Sequence, residues 1–61
     1  MEKKWYSFIF EFELDGVLTS DNSSSYQSIE EDAKDKAEQF LRLKYHGQKI
    51  EIISIKKVIK L

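Results

Sequence analysis

Trp5-Tyr6-Ser7-Phe8-Ile9-Phe10-Glu11-Phe12-Glu13-Leu14-Asp15-Gly16-Val17-Leu18-Thr19 is the stretch that decides the fold. Tyr6, Phe8, Phe10, Phe12 and Leu14 occupy every second position, with Ser7, Glu11 and Glu13 between them. A period of two rich in aromatics is the signature of a strand with one buried face, placed here at about residues 4–14. Asp15-Gly16 follows at once and suits a type I′ turn, both of whose central residues need positive φ. A two-residue loop sets Leu14 opposite Val17, Phe12 opposite Thr19 and Asp21 nominally across from Phe10. The returning strand, about 17–25, soon turns polar through Thr19-Ser20-Asp21-Asn22-Ser23-Ser24-Ser25. With little to bury, it belongs at a sheet edge.

Downstream, Ser28-Ile29-Glu30-Glu31 fits a capping box, with Ser28 as N-cap and Glu31 reaching back to it. Glu30, Glu31 and Asp32 suit the positive end of a helix dipole. Ile29, Ala33, Ala37, Phe40, Leu41 and Tyr45 then recur at spacings of three and four, predicting a helix over about 29–46. Arg42, Lys44 and His46 complement its negative end, and Gly47 is a natural left-handed residue beyond it. The tail, about 49–59, reads as a third strand whose alternation breaks. Ile50 and Ile52 share one parity, whereas Ile53, Ile55 and Ile59 share the other. Either a bulge falls near Ile52-Ile53, or both faces of this strand meet apolar partners.

Strand, strand, helix, strand has one economical packing. A right-handed crossover sets the third strand beside the first. The expectation is a single α+β domain: a three-stranded antiparallel sheet, order two-one-three, with the helix on the Tyr6–Leu14 face.

One helix covers one face only. Trp5 and Ile9 point to the other, joined by Leu18 and one parity of the third strand's isoleucines. That face is the expected contact surface, for a protein partner or for a homodimer. Charge is segregated along the chain: residues 11–38 carry nine acids and two bases, residues 39–61 six bases and one acid. Glu11, Glu13, Asp15 and Asp21 gather around the hairpin, where they would dock on a basic groove of a partner or simply protect the edge.

Length and composition narrow the function classes. Sixty-one residues at net charge −1 make one small domain, burying only about 60% of its unfolded surface. There is little chain to build a catalytic cleft. With no Cys, disulfides and thiolate zinc sites are excluded, and one His leaves a poor metal-ligand set. Glu30, Glu31 and Asp32 are adjacent rather than disposed around a cavity, and the two glycines form no phosphate loop. The chain reads as non-enzymatic and without a cofactor. Lys56, Lys57 and Lys60 beside Trp5 would suit nucleic acid, but a pI near 5.7 and a single Arg lack the electrostatic footprint. No apolar run approaches a membrane span, and Met-Glu-Lys-Lys-Trp lacks the core of a signal peptide, so the expected location is cytoplasmic.

The layout from Trp5 to Val58, with its S-I-E-E-D-A-x-x-x-A segment and terminal I-x-I strand, resembles several tiny strand-strand-helix-strand proteins of bacteriophages and prophages. Among these are the small phage inhibitor of host RNA polymerase and some anti-CRISPR proteins. The resemblance implies a viral inhibitor that binds and obstructs a host enzyme without chemistry. No motif matches residue by residue, so no family role transfers to any position. An archaeal large-subunit ribosomal protein shows a similar but far more basic pattern. It supplies the alternative reading, a small ribosome- or nucleic-acid-associated protein. The candidate partner-binding residues are Trp5, Ile9, Glu11, Glu13, Asp15 and Asp21.

Overall fold

A computed structural model describes residues 2–58. In chain order the elements are β1 (Lys4–Leu14), β2 (Val17–Gln27), α1 (Glu30–Lys44) and β3 (Ile50–Val58). They form one antiparallel sheet of order β2-β1-β3 with the helix on one face, the α+β arrangement expected. The turn is the one Asp-Gly favours: Asp15 has φ 50° and Gly16 φ 85°. Leu14 faces Val17, Phe12 faces Thr19 and Phe10 faces Asp21, and the pairing runs unbroken to Lys4 opposite Gln27. Ile59 and Lys60 lie outside the described residues.

The parity break in β3 is a bulge. Glu11 pairs with Ser54 and Phe12 with Ile52, which leaves Ile53 as the extra residue. One added residue reverses which side chains face inward. Ile50, Ile52 and Ile55 therefore all pack on the helix-covered side beside Leu14, Phe12 and Phe10. This corrects one expectation. Of the isoleucines expected on the open face, Ile55 is turned inward and Ile53 is the bulge residue, 57% exposed; Glu51, Ser54, Lys56 and Val58 stand on that face.

Phe8, Phe10, Phe12, Ala33, Ala37 and Leu41 form the core, each at most 2% exposed. Phe8 and Phe10 meet edge to face at 6.5 Å, and Phe12 packs on Tyr45 at 5.5 Å. The helix stripe differs from its sequence reading at the flank, where Ile29 and Phe40 are about half exposed. The reason is where α1 lies. It packs chiefly over β2, whose inward residues opposite Phe8 and Tyr6 are Ser23 and Ser25. Small serines below and alanines above let the helix approach closely. Ser23 Oγ donates to the Ala37 carbonyl at 2.8 Å, and Ser25 is 1% exposed. The serine run is thus the seat of the helix.

The helix start also departs from expectation. Ile29, extended at φ −123° and ψ 131°, is the N-cap residue; its carbonyl accepts from Ala33 N at 3.0 Å, and no side chain among the described residues caps the end. Moving the cap by one residue puts Asp32, not Glu31, at the third helical position and breaks the box spacing of Ser28. The acidic first turn remains, as does the positive φ of Gly47 at 86°.

Candidate functional site: the uncovered sheet face

The face away from α1 is formed by Trp5, Ser7, Ile9, Glu11 and Glu13 of β1, by Leu18, Ser20, Asn22, Ser24 and Tyr26 of β2, and by Glu51, Ser54, Lys56 and Val58 of β3. No element packs on it among the described residues. Its composition is graded along the strands. At the end distant from the hairpin, Trp5 and Tyr26 are cross-strand partners with ring centroids 5.4 Å apart. Trp5 is 67% exposed and Tyr26 48%, so the pair presents a broad amphipathic platform. The middle is polar: Ser7 and Ser24 share a hydrogen bond at 2.8 Å, beside Ile9 and Asn22. Towards the hairpin the face becomes acidic, with Glu11, Glu13 and Glu51 in adjacent register. Glu11 accepts from Ser54 Oγ at 2.9 Å and lies 3.9 Å from Lys56 Nζ.

Four of the six residues singled out from the sequence therefore share this surface: Trp5, Ile9, Glu11 and Glu13. Asp15 and Asp21 are placed elsewhere. Asp15 ties the hairpin to the segment before β3, its Oδ1 accepting from Lys49 N at 2.9 Å and its Oδ2 from Gln48 Nε2 at 3.3 Å. Asp21 faces the helix side. Its Oδ2 accepts from Lys44 Nζ at 2.7 Å and Tyr45 Oη at 2.6 Å, and its Oδ1 from Asn22 N at 2.8 Å. The hydrogen bonds from Lys44 and Tyr45 hold its carboxyl below the usual aspartate value. The same bonds to Asp21 push Lys44 and Tyr45 up. Both aspartates clamp the fold together, and neither presents its charge with the glutamates.

The lysines of β3 divide in the same way. Lys56 stands on the open face near Glu11, whereas Lys57, opposite Phe8, is on the helix side and pairs with Glu30 at 2.8 Å. They do not merge with Trp5 into one basic surface. Tyr26 and Glu51 are site residues that the sequence reading missed, Tyr26 because the second strand was ended at about Ser25. The Asp-Gly register, carried one residue further, already sets Tyr26 opposite Trp5.

Elsewhere, a shallow groove on the outer side of α1 is lined by Gln39, Arg42, Leu43 and His46. Among the described residues no group of three or more His, Cys, Asp or Glu could hold a metal ion, and no helix is long and apolar enough to cross a membrane. Comparison with family models, curated proteins and solved structures returned no match.

Proposed function

We propose that this chain is a protein-binding module that acts by occlusion rather than chemistry, in the manner of the phage-type inhibitors its strand-strand-helix-strand layout resembles. The host enzyme, for which a CRISPR effector or RNA polymerase would be the model, meets it in the cytoplasm. One observation carries the reading. The Trp5–Tyr26 platform is exposed on a sheet face that nothing among the described residues covers, although aromatics of this size normally help to fill a core as thin as this one. Trp and Tyr are the residue types that anchor interfaces, because each brings a large rigid apolar area and a polar tip. Glu11, Glu13 and Glu51 add an acidic border along the same strands. They would steer the face towards a basic surface and select its orientation there. A second copy docked face to face would use the same anchors.

The test compares immobilised wild type with Trp5→Ala and Tyr26→Ala in bacterial lysate, followed by an activity assay on the enzyme retained. The expected result is a host enzyme held by wild type, inhibited by it, and released by both substitutions while the domain stays folded. Salt-sensitive retention on heparin, unchanged by either substitution and with no enzyme inhibited, would overturn the proposal in favour of a nucleic-acid-associated protein.

A further inference from the structure

The two edges of the sheet are built differently. The free edge of β3 carries two devices that discourage further pairing, the bulge at Ile53 and the lysines Lys56 and Lys57. The free edge of β2 has neither. It runs eleven residues, Val17–Gln27, in unbroken register with β1, without Pro, Lys or Arg. Its single charge, Asp21, is turned to the helix side and bound by Lys44 and Tyr45.

The hairpin fixes which groups that edge offers. In a two-residue turn the flanking residues, here Leu14 and Val17, form a hydrogen-bonded pair, so odd-numbered β2 residues bond to β1. The even-numbered ones, Leu18, Ser20, Asn22, Ser24 and Tyr26, direct their N–H and C=O away from the sheet. Asn22 N accordingly donates to the Asp21 side chain, outside the ladder. The other four amides have no side-chain acceptor among the described residues.

We infer that β2 pairs antiparallel with β2 of a second copy about a two-fold axis at Asn22, joining two three-stranded sheets into one of six strands. Asn22 is the midpoint of Val17–Gln27, so this register overlaps the whole strand. It is also an outward-bonding position, as a two-fold hydrogen-bonded pair requires. Leu18, Ser20, Ser24 and Tyr26 of both copies then supply about eight backbone bonds, and Asn22 about two more on exchanging Asp21 for the partner's carbonyl. Side chains agree with the register. Leu18, 69% exposed, meets Tyr26 of the partner subunit, and Asp21 meets the partner's Ser23, whereas an axis one residue earlier would set Asp21 against its own copy.

The helix layer is arranged for the same partner. α1 packs chiefly over β2, the last strand on its side, and its residues Ile29, Phe40 and Leu43 are exposed. In the paired sheet the two helices stand on either side of the axis. The contact closes, because it consumes the unprotected edge of both copies and leaves only the guarded β3 edges outside. This inference is independent of the proposed function, and the open face is left free and doubled.

Hydrogen exchange by NMR, recorded from dilute to millimolar protein alongside sedimentation equilibrium, tests it. The amides of Leu18, Ser20, Ser24 and Tyr26 should gain protection in step with the sedimenting dimer, while those of Thr19, Ser23 and Ser25 change little. Ser20→Pro removes an outward N–H that β1 does not use, and should weaken the dimer about thirtyfold or more. Should that variant fail to fold, the wild-type exchange pattern decides alone. A strict monomer at millimolar concentration overturns the inference, as does a dimer whose four outward amides stay unprotected, the result that face-to-face docking would give.

Discussion

Ser25 offers the sharpest test of how the helix is seated. Its side chain is 1% exposed between β2 and α1, and its hydroxyl has no hydrogen-bond partner among the described residues. A buried hydroxyl without a partner costs about 1–3 kcal/mol in lost hydration. Ser25→Ala removes that cost and leaves a void of one oxygen atom, worth only a few tenths of a kcal/mol. The expected outcome is stabilisation by about 1 kcal/mol, a rise in Tm of roughly 4–8 °C for a domain this small. Ser23, two residues earlier on the same face, is the control, because its hydroxyl is bonded to the Ala37 carbonyl. Ser23→Ala should therefore cost about 0.5–1.5 kcal/mol. Ser25→Val should also destabilise, by about 1–3 kcal/mol, since replacing the hydroxyl with one methyl group and adding a second would push α1 off the sheet. Urea and thermal unfolding followed by circular dichroism read all three, with unchanged m-values showing that stability alone has moved. A Ser25→Ala protein less stable than wild type would refute the reasoning, for it would mean that the hydroxyl is satisfied and the helix seated otherwise.

The two faces of β1 should respond differently to truncation. Phe10→Ala, at a fully buried position, should cost about 3–5 kcal/mol and leave the domain largely unfolded. Trp5→Ala should keep the thermal midpoint within a few degrees and instead lose about thirtyfold in partner affinity; equal unfolding by both would reverse the assignment of faces. The folded-state pKa of Asp21 lies below its unfolded value, so its contribution is complete above the unfolded pKa and fades as pH falls through the folded one. Asp21→Asn should accordingly destabilise by about 1–2 kcal/mol at neutral pH and flatten the acid limb of a stability–pH curve. Deleting Ile53 should restore regular pairing between Ile52-Ser54 and Phe12-Glu11, leave the inward faces of β3 unchanged and cost under about 1 kcal/mol by urea unfolding. A collapse of the fold would show that the bulge has a packing role.

What was legible in the sequence is what short-range chemistry controls. Asp15-Gly16 needs no distant partner to turn, and a two-residue loop then dictates every pair from Leu14–Val17 to Lys4–Gln27. The alternation of Tyr6 to Leu14 and the parity break at Ile52-Ile53 are likewise local patterns, and sheet order followed from them by elimination. Trp5, Ile9, Glu11 and Glu13 came with the same parity, so four of the six residues singled out from the sequence were readable as one surface. The rest depended on neighbours far along the chain. Asp15 and Asp21 look like their glutamate neighbours until Lys49, Lys44 and Tyr45 arrive from the other half of the molecule to bind them. Ser23 and Ser25 read as filler until Ala33 and Ala37 come down on that side of the sheet. A polar side chain on a strand has no intrinsic preference between water and a packed helix; the group that meets it decides, and only the tertiary fold brings that group.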